Sequence, residues 1–313
     1  MRTPMLIAAA TILFAACVTP EEQNVEVVEL SYPETRKDQV VDDYFGTQVN
    51  DPYRWLEDDM SDETAAWVEA QNNVTRGFLE AIPFRAELEE RLEELWNYEK
   101  IGSPFVEGDY TYFYKNDGLQ NQYVIYRQKD EGQVEVFLDP NTFSPDGTTS
   151  LASISFTDDG SLLAYQISEG GSDWRKVIVM NTENKEIIED TLVDVKFSGL
   201  AWRGNEGFYY SSYDKPEEGS ELSGMTQFHK LFFHKLGTPQ SEDELIFGGE
   251  QQARRYVQGY VTEDGRFLVI SAANSTTGND LRILDMEKPD LGLQSIIEGF
   301  DNEYSILHSE GDM

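Results

Sequence analysis

The chain has 313 residues, enough to bury one large core or two ordinary ones, with the apolar and aromatic content of a globular protein. Its charge is lopsided: 24 Lys and Arg stand against 59 Asp and Glu, a formal net of -35. That balance argues against nucleic acid and anionic headgroups as partners, since both need clusters of Lys and Arg, and a solvated, self-repelling surface accounts for the acid.

"MRTPMLIAAATILFAAC" opens with Arg2, runs apolar from Met5 to Ala16 and closes on small residues. This is the anatomy of a signal peptide, because a dozen or so apolar residues fall short of the roughly 20 that a bilayer needs. Cys17, the single cysteine, follows Phe14-Ala15-Ala16. The arrangement resembles the bacterial lipobox, whose cysteine is lipidated and becomes the mature N-terminus, although Phe14 stands where Leu is usual. An ordinary signal peptide with a chance cysteine is the alternative. The lipobox reading makes residues 1–17 the lipoprotein signal with its lipidation site at Cys17, and residues 18–31 an acidic tether. It implies an exported protein on the periplasmic side, held to a membrane by several acyl chains.

Two helices are predicted next. Ser61 is a good N-cap for "DETAAWVEAQNNVTRGFLEA", which has acids in its first turn. Pro83 is expected to open "PFRAELEERLEELWNYE" as its first helical residue. Leu88, Leu92, Leu95 and Trp96 fall on one stripe, with Glu87 and Arg91 as an i,i+4 pair on the wet side. The stripe must be buried, and another domain is the expected cover.

After residue 100 the texture changes to short β-rich runs, "YTYFYKN", "NQYVIYRQ" and "VEVFLDP". A pattern then recurs: a short strand, an acidic turn closing on glycine, and an apolar strand. Its copies are "ISFTDDGSLLAYQIS", "LAWRGNEGFYYSSY" and "GYVTEDGRFLVISA", with Gly160, Gly207 and Gly265 expected to supply the positive φ of a tight turn. Four short strands every 40–50 residues or so is the signature of β-propeller blades. The final "EYSILHSEGDM" fits the same template as a strand "YSIL" and a turn whose second strand is missing. About four blades and the start of a fifth are therefore expected. Rings close with about 4–8 whole blades, so a fragment is expected too. An open arc leaves unpaired edges, and the isolated chain is expected to aggregate or to order only partly.

"YPETRKDQVVDDYFGTQVNDPYRWLEDD" and "WVEAQNNVT" resemble the start of a prolyl oligopeptidase, a family of serine peptidases. "GLQNQYVIY", "VFLDPNTFSPDGT", "GSDWRKVIVM", "DVKFSGLAW" and "HKLGTPQSED" continue the likeness to the end of the chain. Oligopeptidase B shares the "DPYRWL" opening, whereas "GLQNQ" and "GSDW" favour the prolyl enzymes. The resemblance implies an α/β-hydrolase domain, onto which an N-terminal segment wraps, and an inserted seven-bladed propeller. The propeller limits access to short peptides, which are cut after proline. In this chain residues 32–100 correspond to the wrapping segment and residues 101–313 to part of the propeller. The fold class is thus mainly β, an incomplete propeller behind two helices. The nucleophilic serine, its aspartate and its histidine lie after the propeller in this family. A C-terminal α/β-hydrolase partner is therefore implied, and the chain alone is expected to be inactive.

The residues agree with that expectation. No G-x-S-x-G occurs, and the glycines of "EGGSDW" flank Ser172 on one side only. His229, His234 and His308 lack a serine and an acid in a suitable setting, and no His/Asp spacing suits a metal, so no cofactor is expected. "TDDG" and "TEDG" lack the length and closing Glu of a calcium loop. The resemblance singles out two positions. Phe197 matches a phenylalanine that reaches toward the substrate cavity, although ordinary blade packing also explains it. Asp173 matches an acid facing the catalytic domain, although a capped turn would hold an Asp equally well. Ala273 stands where some relatives carry a basic residue, which weakens the Asp173 assignment. Two rival readings are a stand-alone propeller-type binding lipoprotein and one half of a two-chain peptidase.

Overall fold

The structure, a computed structural model, describes residues 30–215 and 226–309, so Cys17 and the final "GDM" lie outside the described residues. The chain starts with a hairpin, β1 (Val41–Tyr44) and β2 (Thr47–Asn50), closed by Phe45 and Gly46 at φ 55° and 91°. Two left-handed residues in succession make a tight two-residue hairpin turn. The sequence reading missed this hairpin, whose only local signal is the Phe-Gly pair.

Helix α1 (Asp62–Glu80) is capped as expected, the Thr64 N–H donating to Ser61 Oγ at 3.2 Å. Helix α2 (Arg85–Trp96) starts two residues later than predicted. Pro83 lies in the preceding turn, where the Arg85 N–H donates to the Ile82 carbonyl. Arg91 pairs with Glu94 at 2.8 Å, not with Glu87. The stripe on α2 has no cover among the described residues: Leu92 is 54% and Trp96 64% exposed.

Four antiparallel sheets follow. The first comprises β3 (Lys100–Ile101), β4 (Phe105–Glu107), β5 (Tyr110–Asn116), β6 (Val124–Lys129) and β7 (Glu135–Leu138), with β3 and β4 sharing one edge of β5. The second is β8 (Thr149–Phe156), β9 (Leu162–Glu169), β10 (Trp174–Asn181) and β11 (Leu192–Lys196). The third is β12 (Leu200–Arg203), β13 (Gly207–Ser212), β14 (Lys230–Lys235) and β15 (Glu244–Gly248). The fourth is β16 (Tyr256–Val261), β17 (Phe267–Ala273), β18 (Asn279–Asp285) and β19 (Gln294–Ile297). Each is a meander paired in chain order, the arrangement of propeller blades. In every blade the register slips between the last two strands, and such bulges increase the local twist.

Period-2 alternation sends neighbouring residues into different interfaces. Leu163 and Tyr165 pack against Tyr112, Ile125 and Phe137 of the first blade, while Ala164 joins Trp202 and Phe208 of the third. Tyr209 turns the other way, into Leu231, Val257, Leu268 and Ile270. Blade strands are thus apolar on both faces, the pattern of stacked sheets. Among the described residues no sheet lies against the outer face of the fourth blade: Phe267, Val269, Ile283 and Ile296 line an open cavity of about 380 Å³. Residues 303–309 cross toward that side through bonds from Tyr304 N to Asn279 Oδ1 (2.7 Å) and from Ile306 N to Tyr260 Oη (3.0 Å). The predicted "YSIL" strand is not formed, because this segment has no ladder partner among the described residues.

The turn glycines split. Gly160 and Gly265 have φ of 69° and 70°, as expected. Gly207 does not: Gly204 takes the positive φ of that longer turn. Gly207 is required for space, since a Cβ there would lie 2.0 Å from the His234 carbonyl oxygen.

Candidate functional site: the Phe197 end of the blades

Antiparallel meanders place alternate connections at opposite ends of the blades. The acidic turns 157–161, 204–206 and 262–266 share one end. Residues 117–123, 170–173, 197–199, 249–255 and 274–278 share the other. Asp159 anchors the first end, accepting from Thr157 Oγ1 (2.8 Å), Ser161 N (2.9 Å) and Ser161 Oγ (2.7 Å), and from Asn205 Nδ2 (2.8 Å) of the next blade. The Ser161 donors, then Asn205 and Thr157, hold its carboxyl well below the usual range. Thr262 and Asp264 repeat the motif. These are turn clasps, and among the described residues no group of three or more His, Cys, Asp or Glu could hold a metal ion.

The histidines are structural. His229 is fully buried; its Nδ1 accepts from Val257 N (2.9 Å), which leaves Nε2 as the donor to the Lys196 carbonyl (3.0 Å). Burial pulls its pKa down to about 4, against the lesser effect of that carbonyl. His234 lies at the far end of β14, with Asp243 Oδ1 at 2.7 Å and Glu189 Oε2 at 3.4 Å. Burial works against its charge, but the two carboxylates raise its pKa to about 9. Asp243 also accepts from Tyr210 Oη at 2.7 Å, and the Gly237 N–H donates to Glu189. The sequence reading missed this buried acid–base cluster. His308 is exposed and Ser172 is spent on its own loop, accepting from Trp174 N at 3.1 Å.

Phe197 and Asp173, the two residues that the family resemblance singles out, both lie at the second end. Phe197 sits in the connection from β11 to β12 with φ 52°, a left-handed conformation that is rare for a bulky residue. Its carbonyl accepts from Gln258 Nε2, and Gln258 Oε1 accepts from Gly199 N at 3.3 Å. Its ring meets Tyr213 (6.3 Å) and Tyr256 (6.4 Å) edge-on. Two side chains of the fourth blade, Tyr256 and Gln258, therefore hold a residue that enters the third, and no local sequence signal links them. Backbone strain of this kind clusters at functional sites. Asp173 is exposed, and its carboxylate makes no hydrogen bond or ion pair among the described residues. Ala273 ends β17 opposite Tyr256.

The helical segment joins the blades at this same end. Lys100 Nζ donates to the Trp96 carbonyl at the end of α2 (2.7 Å) and to the Gly118 carbonyl (2.8 Å), with the rings of Trp96 and Tyr98 beside it. Gly118 has φ 139°, and a Cβ there would lie 2.3 Å from Asn97 Oδ1. The φ of 139° favours glycine at this corner, and a larger residue would also have to push the Asn97 side chain aside.

Residues 32–313 match the family model described as the prolyl oligopeptidase N-terminal β-propeller domain. The prolyl endopeptidase of Elizabethkingia meningoseptica is 56% identical over 306 residues, covering 98% of this chain and 43% of that protein. Prolyl oligopeptidase A of Amanita bisporigera is 32% identical over 319 residues, with 90% and 42% covered. Prolyl oligopeptidase B of Galerina marginata, solved with a 35-residue substrate, superposes with a TM-score of 0.76 at 26% identity, over 89% of this chain and 43% of that one. The chain spans less than half the length of these relatives. It belongs to the prolyl oligopeptidase family of serine peptidases and corresponds to the N-terminal, propeller-bearing part of the longer members.

Proposed function

We propose that this chain is the access-limiting part of a peptidase that cleaves short peptides after proline. An α/β-hydrolase half supplies the nucleophilic serine and its partners. The observation that carries the reading is the shared placement of the uncovered α2 stripe, the Lys100 joint and the Phe197 rim at one end of the blades. A domain seated there would bury the stripe and close a cavity over the rim. Phe197 would form an apolar wall of that cavity, and Asp173 would face the second half. The chemistry is acyl transfer to serine followed by hydrolysis, and among the described residues no serine, histidine and acid are arranged for either step.

The test uses the purified chain with a Gly-Pro chromogenic peptide. The chain alone gives no turnover. Adding the C-terminal portion of the Elizabethkingia meningoseptica relative restores cleavage that a serine reagent blocks. Serine-reagent-sensitive turnover by the chain alone overturns the reading. So does a failure of the complemented protein to cut after proline.

The lipobox-like "FAAC" supports anchoring through Cys17 on the periplasmic side of a bacterial membrane. Among the described residues no helix is long and apolar enough to cross a membrane. Metabolic labelling with palmitate should mark the wild type and not Cys17→Ser; equal labelling of both would dismiss the anchor.

A further inference from the structure

Lys196, the last residue of β11, is unlike the other lysines of the blades. Lys115, Lys129 and Lys176 each pair with a carboxylate, at 2.5, 2.9 and 2.8 Å, and each is partly exposed. Lys196 is only 8% exposed. Its Nζ lies over the rings of Trp174 (4.7 Å) and Phe197 (5.3 Å). Among the described residues, no carboxylate is within ion-pair distance and no acceptor within hydrogen-bond distance of that Nζ. Asp173, adjacent in sequence to Trp174, does not reach it.

Ring faces attract an ammonium but accept none of its three N–H bonds in the way an oxygen does. Most of the Lys196 side chain is covered, but its ammonium still reaches solvent and has no anion beside it among the described residues, so a carboxylate can approach it. The backbone at Lys196 is held from behind: the His229 ring bonds the Lys196 carbonyl, and stacks on Tyr213 with centroids 4.4 Å apart. Lys196 thus places a cation, laid over the Trp174 and Phe197 rings, beside the aromatic wall of Phe197, Tyr213 and Tyr256. That combination suits an acyl chain ending in a carboxylate.

We propose that Lys196 is a specificity-determining residue that binds a carboxylate carried by a short peptide whose apolar part lies against Phe197. The inference rests on the peptide-binding reading of this end and adds a preference for acidic peptides.

The probes are succinyl-Gly-Pro-p-nitroanilide and acetyl-Gly-Pro-p-nitroanilide, which differ by one carboxymethyl group. Calorimetric titration of the full chain should show the succinyl peptide binding roughly tenfold tighter, the range of a charge-assisted bond partly shielded from water. Raising NaCl from about 0.05 to about 0.5 M should shrink that ratio. Lys196→Met should bring it to one, and Lys196→Arg should retain most of it. Equal affinity, absence of binding by both peptides, or a preference that survives Lys196→Met overturns the inference. Where a variant misfolds, the salt dependence of the wild type still decides: a preference indifferent to NaCl overturns the inference as well. In the complemented protein, loss of the preference would assign Lys196 to a carboxylate of the hydrolase half and also overturn it. Proline-specific cleavage without the preference sinks this inference alone. The preference without proline-specific cleavage sinks the peptidase reading alone.

Discussion

The blades and the α1–α2 segment meet the same physical demand in opposite ways. Each inner blade buries both faces of its strands against neighbours, so in the third blade Phe208 is enclosed by groups of the second blade and Tyr209 by groups of the fourth. The helices obey helical periodicity just as well, yet most of their large apolar residues stay open, Trp67 is only half-covered by Trp55, and Thr64 is the one buried residue among them. Regular secondary structure therefore does not show where a chain is self-sufficient. What separates the two regions is whether a partner surface lies among the described residues.

The sharpest way to break this comparison is to cut into each region equally. Phe208→Ala removes a fully buried ring between the second and third blades and should cost about 3–5 kcal/mol, read from urea unfolding at monomeric concentrations. A loss under about 1 kcal/mol would mean that the blades are not packed as described.

A smaller set of effects comes from the two histidines, which flank the same strand and respond to pH in opposite directions. His234, raised to about 9, favours its proton in the folded state. Its contribution is complete below the unfolded value near 6.5 and is lost as pH rises through about 9. His229, lowered to about 4, favours the neutral ring. Its contribution is present above about 6.5 and is lost as pH falls toward 4. Stability should therefore pass through a maximum near neutrality. His234→Leu should cost about 3 kcal/mol at pH 6, since it strands Asp243 and Glu189 without a countercharge, and it should flatten the alkaline side only. An unchanged alkaline limb would remove His234 from the account.

The sequence reads well where causes are local. The Asp-Gly turns, the Ser61 cap, the helical stripe and the strand–turn–strand repeat all depend on residues a few positions apart, and all are present in the structure. It reads poorly where the cause comes from another strand or blade. The reason for Gly207 is a carbonyl across the sheet, on His234, and the Glu189–His234–Asp243 cluster joins a loop, a strand and a turn. The Phe197 rim has the same character: Trp174, Lys196, Tyr213, Tyr256 and Gln258 meet only because three blades bring one end together. The family likeness pointed to Phe197 and Asp173, but not to the residues that hold Phe197 in place. Pro83 is a milder case, where a turn before the helix competes with the first helical position and wins.

The smallest expected effect sharpens the comparison most. Leu92→Ala on the α2 stripe removes as much side chain as a core substitution, but from a residue that is half in water. Its stability cost should stay within about 0.5 kcal/mol, as for surface positions generally. Combined with Trp96→Lys it should also reduce aggregation, because it breaks up an exposed apolar patch. The same double substitution should sharply weaken complementation by the C-terminal part of the relative, read as activity restored per mole added. An interface residue and a core residue then part company: the core variant loses folding, while the stripe variant folds as before and loses its partner. If the stripe variant unfolds like Phe208→Ala, α2 is part of the propeller's own core. If it complements at full strength, the hydrolase half sits elsewhere, and the Phe197 end of the blades faces water.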